Sequence, residues 1–98
     1  MDALAALAEL ERRYDGPIPE PARRAVLAGS AREAERHAAA AEARFFAGRV
    51  RNQVRAIRLR RAAGCRVPDL LADLALYRRE WRRWHARARR LLDEADPP

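Results

Sequence analysis

The stretch PDLLADLALYRREWRRWHARARRLL, Pro68 to Leu92, sets the fold. Within it Leu70, Leu74, Tyr77, Trp81, Trp84, Ala88 and Leu91 recur at alternating spacings of four and three residues. That rhythm puts an apolar seam down one side of a helix. Pro68 suits a first helical turn, where its missing N–H would have had no partner. Asp69 and Asp73 complement the positive end of the helix dipole. The pattern predicts a helix to about Leu92, with residues 93–98 as a frayed tail.

A matching seam lies upstream. Ala39, Ala43, Phe46, Val50, Gln53 and Ile57 follow the same four-three spacing. They belong to a helical pattern running from Ser30 to Gly64, ~33 residues or ~50 Å at 1.5 Å per residue. Ser30 and Glu33 read as a capping box, and Gly64 as the residue just past the helix end. Gly48 weakens this helix by roughly 1 kcal/mol relative to alanine and is predicted to mark a kink or a close contact. Only residues 65–67 separate the two helices, so they should fold back as an antiparallel hairpin over residues 31–92. Small Ala39 and Ala43 would then face the end where Trp84, Ala88 and Leu91 arrive.

The last helix, at ~24 residues, covers the long one back only to about residue 40. The stripe of Ala34, Ala38 and Ala41 is left over. Upstream of it, Asp2 can cap a helix over residues 3–14 with Leu4, Leu7, Leu10 and Tyr14 near one face. The prolines Pro17, Pro19 and Pro21 stop that helix, Ile18 between them is expected to plug the core, and a short helix over residues 21–28 ends at Gly29. Either these short helices or a second copy of the chain would cover the alanine stripe. The expected architecture is all-α, a small bundle of three to four helices dominated by a long antiparallel helical hairpin. It reads as one domain: N-terminal helices and Pro-rich loop in 1–29, hairpin in 30–92, tail in 93–98, with a homodimer as the alternative way to hide apolar surface.

Composition agrees with helix and excludes other classes. The 98 residues include 23 Ala, 21 Arg and 11 Leu, but only four Val, two Ile and no Thr or Lys. A β-sandwich or barrel needs many more β-branched residues, and one cysteine cannot make a disulfide scaffold. Leu, Ile, Val and Phe total 19 of the 98 residues, close to the range of disordered chains. The strict periodicity and the high helix propensity of alanine argue against disorder. Residues 3–8 form too short an apolar run for a secretory signal, and nothing approaches a membrane span. With one thiol and no signal, a cytoplasmic protein is expected.

The charge is unevenly placed. Arginine in place of lysine is what GC-rich codon usage yields, but codon usage does not explain a net charge of +7 or its location. Residues 43–68 hold eight arginines and no acid, and residues 78–92 hold seven arginines against Glu80 alone. Arg44, Arg51, Arg55 and Arg58 fall within an arc of about 60° that points away from the seam. Arg78, Arg79, Arg82, Arg83, Arg89 and Arg90 lie beside or opposite the seam of the last helix. Such crowding is unfavourable unless an anionic partner lies against it.

Chemistry-bearing residues are few. Cys65, just past a helix end, is expected to pack as a buried thiol. His37 should pair with Glu33 four residues before it, and His85 should edge the core. Trp81 and Trp84 lie on the seam, which favours core packing over a protein-interface or base-stacking role. No metal-ligand spacing, phosphate loop or nucleophile–base pair is present, so neither an enzyme, a cofactor nor a small-molecule substrate is expected. Two binding functions follow. In the first, the arginine faces engage nucleic acid through its backbone, although no finger, RNP-like strand or convincing helix-turn-helix is found. In the second, the hairpin docks on an acidic protein surface, or completes a helical bundle, as an accessory factor or inhibitor.

Overall fold

The computed structural model describes residues 2–14 and 17–95. It consists of α1 (Ala3–Arg13), α2 (Glu20–Leu27), α3 (Ala31–Ala62) and α4 (Pro68–Ala95), with no strand among the described residues. The fold is all-α and its two long helices form the expected hairpin.

The four-three seams make the α3–α4 interface. Every seam position is buried or half-buried, with Ala39, Ala43, Ile57, Leu74 and Leu91 buried. Near the turn, Ile57, Val67 and Leu74 form a core against which Val50, Val54 and Leu70 pack. Gln53, the one polar seam residue, donates from Nε2 to the Leu70 carbonyl at 3.0 Å. A half-buried amide left unpaired would weaken the seam.

A second core sits at the far end of the hairpin. Leu10, Ile18, Ala22, Ala25, Val26, Ala34 and Ala38 come together, with Ala6, Leu7 and Tyr14 against them. The two N-terminal helices therefore cover Ala34 and Ala38 of the α3 stripe, Ala41 staying half-buried outside this core, and Ile18 fills the core as expected. Ala22 and Ala34 are wholly buried, and their small side chains let α2 lie close to α3. Asp2 caps α1, its Oδ1 accepting from the Ala5 N–H at 2.7 Å.

Two helix ends share one device. After α2, Gly29 adopts φ +83°, its N–H bonds to Val26 O, and the Ser30 N–H reaches back to Ala25 O at 2.8 Å. After α3, Gly64 adopts φ +79°, its N–H bonds to Arg61 O, and the Cys65 N–H reaches Arg60 O at 2.9 Å. Both are Schellman closures. They overturn two expectations. Ser30 makes no side-chain cap to α3, because its backbone is already set by the end of α2; Glu33 turns instead to Arg36 and His37, at 3.6 and 3.7 Å. Cys65 is exposed. The apolar contact that often accompanies this closure would come from the last turn of α3, but Arg60 stands there and Leu59 is 66% exposed.

Four boundaries and one glycine also differ from expectation. α2 starts and ends one residue early, α1 ends at Arg13, and α4 continues through Asp93 to Ala95 instead of fraying; residues 96–98 lie outside the described residues, as do Asp15 and Gly16 of the loop after α1. α3 runs through Gly48 as one helix, and a Cβ there would meet only Arg51 Nη2 at 3.8 Å, so Gly48 marks no close contact. The molecule measures 56 × 31 × 16 Å with a radius of gyration of 17.1 Å. A compact chain of this size would have about 13 Å, so much of the hairpin's length faces solvent.

Candidate functional site

Two helices laid side by side leave two flanks, and charge divides between them. On one flank α1 approaches, and the acids are occupied. Glu35 of α3, its side chain 16% exposed, pairs with Arg13 of α1 and with Arg87 Nη2 of α4 at 3.4 Å. The Tyr14 hydroxyl donates to the Glu35 carbonyl at 3.5 Å and accepts from Arg87 Nε at 3.4 Å. Its ring lies 5.3 Å from Trp84. A cleft of about 420 Å³ on this flank is lined by Arg13, Tyr14, Arg83, Trp84, Arg87 and Arg90. Arg83 is partly committed, 3.7 Å from Glu80 and 5.0 Å above the Trp84 ring.

The other flank is a groove between α3 and α4. One section, about 380 Å³, has a mostly apolar lining of Ala40, Ala43, Ala47, Trp81, Ala88 and Leu92, with Arg36, His37, Arg44, His85 and Arg89 around it. Ala47 and Trp81 also line the next section, with Val50, Arg51, Arg78 and Arg82. Val50 and Arg51 carry it on to Val54, Arg55, Arg58 and Leu59. These shared residues make one continuous channel toward the hairpin turn. From Arg44 to Arg58 it follows α3 for about 21 Å.

Seven of the ten arginines singled out from sequence thus line one channel: Arg44, Arg51, Arg55 and Arg58 from α3, and Arg78, Arg82 and Arg89 from α4. All seven are exposed, and none has an ion pair or hydrogen bond among the described residues. The other three part company with them. Arg83 and Arg90 belong to the α1 flank, and Arg79, also exposed, lines neither hollow. At the far end of the channel Arg36 Nε is buried without an acceptor.

Both tryptophans are half-buried, each on its own flank. Trp81 forms part of the channel, and the exposed His85 ring stacks on it at 5.1 Å and 18°. His85 was expected at the core edge; helical geometry carries it one step past the seam, over the channel. His37 pairs with Glu33 as expected and also lines the channel.

No known protein family, curated protein or solved structure matches this chain. Among the described residues no three His, Cys, Asp or Glu side chains gather as a metal would need, and no helix is long and apolar enough to cross a membrane.

Sequence reasoning missed Glu35, Arg13, Tyr14 and Arg87 as a cluster, and their separations of 21 to 73 residues leave no local signal. It also missed Arg49, which lies over Phe45 at 5.1 Å and near Tyr77 at 5.9 Å. The channel did leave a trace: Ala40 and Ala47 flank the α3 seam on one side, next to the seam residue Ala43, with Arg44 and Arg51 beside them.

Proposed function

We propose that this protein is a non-enzymatic nucleic-acid-binding module whose α3–α4 channel engages the phosphate backbone. One observation carries the reading: seven exposed arginines border one channel, and none is paired to a carboxylate among the described residues. Guanidinium groups bind phosphate oxygens through a planar fork of donors. Their mutual repulsion in the free protein is relieved when a polyanion lies along the channel. The ~21 Å of α3 that it follows matches about six phosphates of one strand of a duplex, spaced about 3.4 Å along its axis.

The test is a salt series by fluorescence anisotropy with labelled single-stranded and duplex oligonucleotides. If five to seven phosphates are neutralised, log affinity should fall against log salt with a slope of about −4 to −6. Replacing Arg51, Arg55 and Arg58 together with alanine should weaken binding and make that slope shallower by about 2 to 3. All three are exposed, so the helical signal should be unchanged. Indifference to both nucleic acids would reject the reading and favour the other use of the same cations, docking on an acidic protein surface.

A further inference from the structure

The channel has a feature that backbone neutralisation alone does not use. The section of about 380 Å³ between α3 and α4 has a mostly apolar lining, and an aromatic pair stands at one wall. Trp81 is half-buried, so part of its ring remains accessible, and it borders both of the sections that α3 and α4 enclose together. His85 stacks on it nearly parallel, 5.1 Å between ring centroids, and is exposed, so the pair keeps an open ring for a further stacking partner. Arg44 and Arg89 flank this section, and Arg78 and Arg82 flank the next.

A duplex keeps its bases stacked inside and offers phosphates only. It would meet the arginine rims and leave the apolar floor and the aromatic pair without a partner. A single strand can turn a base inward while its phosphates stay on the rims. Aromatic platforms inside a cationic groove favour that arrangement, because every base has a π-face. We infer that the channel selects single-stranded nucleic acid, with a base stacked on the Trp81–His85 pair between the Arg44 and Arg89 rims. This inference rests on the nucleic-acid reading above and adds the strand preference to it.

The experiment uses oligo(dT) of about 12 nucleotides and a duplex of the same length. Tryptophan fluorescence is read in a Trp84→Phe variant, so that Trp81 alone reports. Oligo(dT) should quench Trp81 and bind at least about ten-fold more tightly than the duplex. His85→Ala removes an exposed ring outside the seam and should weaken oligo(dT) several-fold while leaving the duplex unchanged. Trp81→Ala should weaken oligo(dT) about ten-fold or more. Should that variant unfold, Trp81→Phe, which retains a ring on the seam, should bind oligo(dT) better than a Trp81→Leu variant does. Equal or tighter duplex binding with Trp81 unquenched overturns the single-strand inference and leaves the backbone reading standing. Failure of both oligonucleotides to bind overturns the two together.

Discussion

Replacing Gly48 with alanine is expected to stabilise the protein, whereas the same change at Gly29 or Gly64 should destabilise it. Gly48 lies inside α3 with ordinary helical backbone, and a Cβ built there meets nothing closer than the Arg51 guanidinium at 3.8 Å. Alanine at a helix interior restricts the unfolded chain and is favoured over glycine by about 0.5 to 1 kcal/mol. Gly29 and Gly64 also have open space around them, but they stand at φ +83° and +79°. There an L side chain costs about 1 to 2 kcal/mol whatever room it has. Urea denaturation followed by helical circular dichroism measures all three. Gly48→Ala should raise the midpoint at constant slope, with a gain in melting temperature of about 3 to 8 °C for a chain of this size. The other two variants should lower both quantities. If Gly48→Ala destabilised the protein, α3 would have to meet another surface closely at that position, and the open environment described here would be wrong.

Glu35→Gln keeps the shape of the side chain but removes the charge that joins Arg13, Arg87 and α3. The pairing is less screened than a surface pair and less buried than a core one, so a loss of about 1 to 2 kcal/mol is expected in the same urea assay, and the loss should shrink at high salt. Leu74→Ala opens a cavity in the core near the turn, where Leu74 is 7% exposed, and should cost about 2 to 4 kcal/mol by urea denaturation. Cys65 should react with a thiol reagent in the folded protein as fast as in denaturant; protection in the native state would contradict its exposed place after Gly64.

The hairpin was legible because its signal is periodic and local. Leu70 to Leu91 and Ala39 to Ile57 each repeat the four-three spacing, and two seams joined by a few residues have one economical way to hide. The helix ends were half legible. Gly29 and Gly64 announced their left-handed turns, but the sequence could not say that each turn would also bind the next residue's N–H. That second bond is what took Ser30 out of capping, while Cys65 stands in water because Arg60 and the exposed Leu59 give it no apolar partner. A motif such as Ser-x-x-Glu states what a helix start could use, and the preceding helix decides whether the serine is free to supply it.

Charge was legible as an amount and as a face of each helix taken alone. Whether the two faces meet depends on which side of each seam the arginines stand, and that is set by the packing of α3 on α4. A rotation of one step separates Arg78, Arg82 and Arg89, which join Arg44, Arg51, Arg55 and Arg58 over the channel, from Arg83 and Arg90, which face Tyr14. The division has a physical logic. On the α1 flank Arg13 and Arg87 meet on Glu35 and tie α1, α3 and α4 together, and Arg83 pairs with Glu80 within α4. On the channel flank the seven have no ion pair among the described residues, and their mutual repulsion is a standing cost. Stability and binding should therefore separate by flank: neutralising Arg51, Arg55 and Arg58 should leave folding unchanged or improve it while weakening nucleic-acid binding, whereas Glu35→Gln should weaken folding before it touches binding. Paired urea and anisotropy measurements on the two variants test that separation, and parallel losses in both properties for either variant would show that the flanks are not independent.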